Sequence, residues 1–127
     1  MILSKFVLLV ALLINVSVEW ANERVVKAWD YSRPMSTSSS IYGLKHYGTV
    51  VETDLGNRYL IHHPGPGQAT TVTSAYYMST TWINDGRINV MGQKTVGGVL
   101  SEIGPGYWID AYTCLGARIQ ARSYLEK

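Results

Sequence analysis

Cys114 is the one cysteine of this 127-residue chain, and the three histidines, His46, His62 and His63, all precede it. A thiol becomes a strong nucleophile as its thiolate, which calls for a base within reach and a polar group to orient that base. Cysteine–histidine acyl transfer through a thioester is therefore the chemistry this set of residues could perform. A lone thiol has two other uses, as a small buried hydrophobe or as half of an intermolecular disulfide. The residue types leave all three open.

Position narrows them. Cys114, Ala117, Ala121 and Leu125 fall on one stripe of a helix, with Leu115 and Ile119 beside it and Arg118 and Arg122 on a neighbouring face at i, i+4. Thr113 is a suitable N-cap, which predicts Cys114 in the first helical turn, where unpaired amides and the positive end of the macrodipole favour a thiolate. The histidines belong to a predicted hairpin. Residues 46–53 are rich in β-branched types, Asp54-Leu55-Gly56-Asn57 forms a turn cluster, and residues 58–63 read as the returning strand. Such a hairpin brings His46, near the start of one strand, to His62, near the end of the other. His62 and His63 face opposite sides, so only one of them can join His46.

Around this centre the elements are shorter. Residues 24–29 predict an edge strand, residues 36–40 a serine-rich connector, and Pro64-Gly65-Pro66-Gly67 a rigid stop. Residues 70–77 are strand-like, and residues 80–91 predict a second hairpin about Asn84-Asp85-Gly86. Residues 95–103 carry apolar side chains at Val96, Val99, Leu100 and Ile103, the spacing of a short helix, weakened at Gly97 and Gly98 by about 1 kcal/mol each. Gly104-Pro105-Gly106 ends it. The expected class is α+β, a small antiparallel sheet with a C-terminal helix carrying the cysteine.

The N-terminus has the layout of a secretory signal, Lys5 followed by an unbroken apolar run over residues 6–14, too short to span a bilayer. The expected organisation is a signal over 1–21, an N-terminal segment and connector over 22–40, and one domain over 41–127, secreted and with no transmembrane segment in the mature chain. Loss of 1–21 removes one lysine and one glutamate, so the net charge stays at +2, too low to make nucleic acid a partner. Charged residues make up 16% of the chain and tyrosine (nine) far outnumbers phenylalanine (one), which suits short strands and half-wet aromatic surfaces rather than disorder. Asn15-Val16-Ser17, the one glycosylation sequon, lies within the expected signal. His46, His62, His63 and Asp54 lack the spacing of a metal site, and no glycine-rich segment continues into the Gly-Lys-Ser/Thr of a phosphate loop, so no cofactor or metal is expected. Tyr76, Tyr77 and Trp82 suit either sheet packing or a sugar- or peptide-binding surface.

The strand opening His46-Tyr47-Gly48, the strand ending Tyr59-Leu60-Ile61-His62, and Cys114 at a helix start together resemble the circularly permuted papain-like hydrolases and acyltransferases of the lecithin:retinol acyltransferase kind. The resemblance covers roughly residues 45–124. It implies that Cys114 is the nucleophile, His46 the base and His62 the second polar residue, acting on an ester or amide of a small-molecule, lipid or peptide substrate. Family members usually carry Asn-Cys followed by a polar residue and an aromatic, where this chain has Thr113-Cys114-Leu115-Gly116. That departure keeps a second expectation beside the first: a catalytically inactive secreted binding or structural protein of the same fold.

Overall fold

Thr49, Val50, Val51 and Thr53 supply the β-branched run that makes residues near His46 extended, and the computed structural model, which describes residues 20–35, 45–64, 69–103 and 113–127, builds a sheet around them. Its strands are β1 (Val25–Pro34), β2 (Lys45–Thr53), β3 (Arg58–His62), β4 (Thr71–Ser74) and β5 (Ile83–Ile88), followed by helices α1 (Val96–Ile103) and α2 (Thr113–Leu125). The sheet is antiparallel throughout, in the order β4-β3-β2-β1-β5. This is an α+β fold, with two α-helices among the described residues, one of them C-terminal. No helix among the described residues is long and apolar enough to cross a membrane. Residues 1–19 of the expected signal over 1–21, the serine-rich connector and residues 104–106 lie outside the described residues, as does most of the Pro-Gly stop.

The β2–β3 hairpin forms where the turn cluster stands. Gly56 takes a positive φ of 83°, and the Thr53 amide donates to the Asn57 carbonyl at 2.8 Å, closing the loop. Two expectations are corrected. Residues 25–29 of the strand expected over 24–29 belong to β1, which is no edge strand: it is hydrogen-bonded to β2 on one side and β5 on the other. Asn84-Asp85-Gly86 does not turn a second hairpin. Asp30 of β1 faces Gly86 and its neighbour Tyr31 faces Asn84, so Asp85 is an extra residue in β5, a β-bulge whose composition imitates a turn.

Both helices cover one face. Val25 and Ala28 of β1, Val51 of β2, Ile61 of β3 and Ile88 of β5 meet Val96 and Val99 of α1 and Ala121 and Leu125 of α2 in a core where each is at most 2% exposed. Strand alternation then assigns the remaining positions, with Asp30 and Ser32 on the helix side and Trp29, Tyr31 and Arg33 on the other. Gly98 is there for close approach, since a Cβ at this position would overlap the hydroxyl of Tyr124 on the neighbouring helix. Alanine gains about 1 kcal/mol over glycine in a helix interior, whereas overpacking costs about 1–3 kcal/mol. Packing wins. Gly98→Ala is expected to lower the urea midpoint, and a raised midpoint would show that Tyr124 moves aside freely.

Candidate functional site on the helix-free face

β2 pairs with β3 so that Gly48 faces His62, which places His46 and His62 on the same face, two positions apart along the ladder. Arg33 of β1 is the direct cross-strand partner of His46. These three side chains share the face with Trp29, Tyr31, Val50 and Leu60, the side away from the helices. The chain leaving β4 at one edge crosses to β5 at the other through a 3-10 turn at Ala75–Tyr77, and the end of this crossing brings Trp82 over the cluster. The Arg33 guanidinium lies 5.2 Å from the Trp82 ring centre, and the His62 ring meets Trp82 edge-on at 5.8 Å. Ser79 and Thr81 hydrogen-bond each other at 2.7 Å and, with Arg33, Pro34, Met35 and His46, line a pocket of about 520 Å³.

The cluster is cationic in character and holds no carboxylate among the described residues. Burial, then the neighbouring Arg33, holds the His46 imidazole below its ordinary range. Burial does the same for His62, aided by Arg33, His46 and His63. Both shifts disfavour the charged imidazoles, and among the described lining residues Arg33 carries the one fixed charge. Its Nε is buried and has no hydrogen-bond partner.

Cys114 stands on the other side of the sheet. α2 packs its Cys114, Ala117, Ala121 and Leu125 stripe toward the strands, as the spacing predicts, and Cys114 is 7% exposed. Its Sγ donates to the Lys45 carbonyl at 3.7 Å, a bond that uses the thiol proton. The expected cap, the Thr113 side chain, lies outside the described ones. Arg118 and Arg122 fix the helix in place. Arg122 pairs with Asp30 at 2.6 Å, and Arg118 reaches the bulged Asp85 at 2.7 Å, the Tyr31 carbonyl at 3.2 Å and the Tyr47 ring at 4.6 Å. Asp54, weighed above as a ligand, instead accepts from the Arg24 amide.

The structure therefore brings His46 to His62 and sets Cys114 apart from both, with the sheet between them. His63, one residue past β3, is 1% exposed, and continued alternation turns it to the helix side. Two residues of consequence were not singled out in the sequence, Arg33 and Asp30. Arg33 had a signal, the alternation of Trp29, Tyr31 and Arg33 along one strand face. Asp30 had none, since its partners come from the far end of the chain.

No family model, curated protein or solved structure matches this chain.

Proposed function

We propose that this chain is a secreted binding domain without thiol catalysis, on a scaffold of the permuted papain-like kind. The observation that carries the reading is the opposed placement of the expected machinery. An imidazole serves as base only within about 2.6–3.2 Å of the proton it takes, and β2 directs His46 away from the face that α2 covers. The helix-free face supports binding in its place, offering aromatic rings, a guanidinium whose buried Nε is unbonded and a pocket of a size suited to small ligands. The order of strand histidines followed by a helix headed by cysteine supports the scaffold, and the apolar leader supports secretion.

The test is the pH dependence of Cys114 alkylation in the folded protein. Slow labelling that His46→Ala leaves unchanged is the expected result. Rapid labelling well below a thiol pKa of about 8.5, lost in His46→Ala, would overturn the reading. One observation favours a second reading, that of a thiol hydrolase or acyltransferase. His63 is buried toward the side of the sheet that holds Cys114, so such an enzyme would draw its base from His63. Rapid labelling that survives His46→Ala and disappears in His63→Ala would select it.

A further inference from the structure

We propose that the pocket lined by Arg33, Met35, His46, Ser79 and Thr81 binds a carboxylate group, carried by a small organic acid or by a peptide C-terminus. This inference rests on reading the chain as a binding domain and names the chemistry its open face takes.

Arg33 separates itself from the other arginines by a buried Nε that no acceptor meets. Arg58 holds Glu52 at 2.7 Å, Arg118 holds Asp85 at 2.7 Å and Arg122 holds Asp30 at 2.6 Å. Arg33 has no carboxylate partner among the described residues, and its buried Nε has no hydrogen-bond acceptor. A buried guanidinium donor left unbonded costs about as much as a lost charge-assisted hydrogen bond, and an incoming oxygen pair recovers it. Trp82 lies 5.2 Å from the guanidinium carbon, and a guanidinium stacked on an aromatic ring still presents the forked donors that match a carboxylate's two oxygens. The Ser79 and Thr81 hydroxyls stand on the same pocket wall as further hydrogen-bonding groups.

Charge decides between oxyanions. Among its described lining residues the pocket carries one fixed positive charge, and burial beside Arg33 disfavours the charged forms of His46 and His62. One charge matches a carboxylate better than a phosphate dianion. The groups facing the two imidazoles are Arg33 from β1, each other from β2 and β3, and His63 beyond β3, while the crossing segment brings only the uncharged Ser79, Thr81 and Trp82. Acidification therefore adds positive charge to the site. Carboxylate affinity rises as pH falls through the histidines' depressed range, for as long as the carboxylate itself stays ionised.

The experiment is an NMR titration of the folded protein, following the imidazole protons of His46 and His62 and the indole N–H of Trp82. The probes are sodium benzoate, its neutral isostere benzamide, and an N-acetylated tripeptide ending in phenylalanine, as the free acid and as the amide. Saturable shifts are expected with benzoate or the free-acid peptide, at least about tenfold weaker with the uncharged counterparts. Benzoate alone would identify small acids as the source; the free-acid peptide binding more tightly would identify a C-terminus. Arg33→Gln is expected to abolish the saturable shifts and Arg33→Lys to weaken them about tenfold, both with unchanged spectral dispersion elsewhere, because Arg33 supports no ion pair. Benzamide matching benzoate, or Arg33→Gln retaining the response, would overturn the carboxylate assignment while leaving the binding-domain reading intact. A site silent to all four probes would overturn the assignment as well, with the binding-domain reading judged separately by Cys114 labelling.

Discussion

Glu23→Ala is expected to destabilise the domain by about 3 kcal/mol, the sum of stranding a buried hydroxyl and losing charge-assisted hydrogen bonds. Glu23 is 7% exposed and stands just before β1. Its carboxylate accepts from the Thr53 hydroxyl at 2.8 Å, from the Asn57 amide at 2.7 Å and from the Tyr59 hydroxyl. These donors end β2, close the hairpin turn and open β3, while the Glu23 carbonyl accepts the Val96 amide that begins α1. One side chain thus ties the hairpin to the N-terminal end of β1. Burial on its own would raise the Glu23 carboxyl, but the bonds from Tyr59, Asn57 and Thr53 outweigh it and hold the group below its ordinary 4.5. A depressed carboxyl stabilises above the unfolded-state value, and that contribution is lost as pH falls through the folded one. Urea denaturation at pH 7 measures the loss, and Glu23→Gln, which keeps the shape and removes the charge, should flatten the acid limb of the stability curve. A Glu23→Ala midpoint within 0.5 kcal/mol of the parent would mean that water replaces the carboxylate at no cost.

Leu125→Ala carries a comparable cost, about 3 kcal/mol, by a different route. Leu125 is 0% exposed, the last residue of α2 and part of the core. Truncating it removes transfer energy and leaves a cavity, and buried leucines lose about 2.7–5 kcal/mol on this change. The substitution also reports on the thiol. Cys114 lies on the same helix stripe and is 7% exposed, so reagent reaches it when the helix leaves the sheet. If that opening is global, a loss of about 3 kcal/mol raises the native-state labelling rate of Cys114 by about a hundredfold. A labelling rate unchanged in Leu125→Ala, against a lowered midpoint, would instead place the thiol's exposure in a local fraying of the first turn.

What could be read from the residues depended on how local the deciding contact was. The β2–β3 hairpin and α2 were legible because a β-branched run with a turn cluster and an apolar stripe at helical spacing each sit within a dozen or so consecutive residues. β1 was misplaced at an edge. Its helix-side positions include Asp30 and Ser32, which look solvated until Arg122 and Arg118 arrive from α2. The bulge in β5 was misread since asparagine, aspartate and glycine suit a turn and a bulge alike. The expected trio falls on two faces of the sheet for a subtler reason. The meeting of His46 and His62 follows from hairpin register, but the side they share depends on which of two adjacent residues, Val50 or Val51, looks toward the helices. Both are valines and both are buried, at 2% and 0%. The pattern is symmetric at that point, and the choice rests with long-range packing.

The pairing of Asp30 with Arg122 also bears on how this chain comes into being. The two residues are 92 positions apart, and β1, the first strand to emerge during synthesis, takes its outer neighbour from β5. A nascent chain carrying only β1, β2 and β3 has an unfilled edge and an uncovered apolar face. Closure waits for the C-terminal helix. The cover of the helix face is completed last, and a premature stop before α2 leaves Asp30 without Arg118 and Arg122 and the core without Ala121 and Leu125.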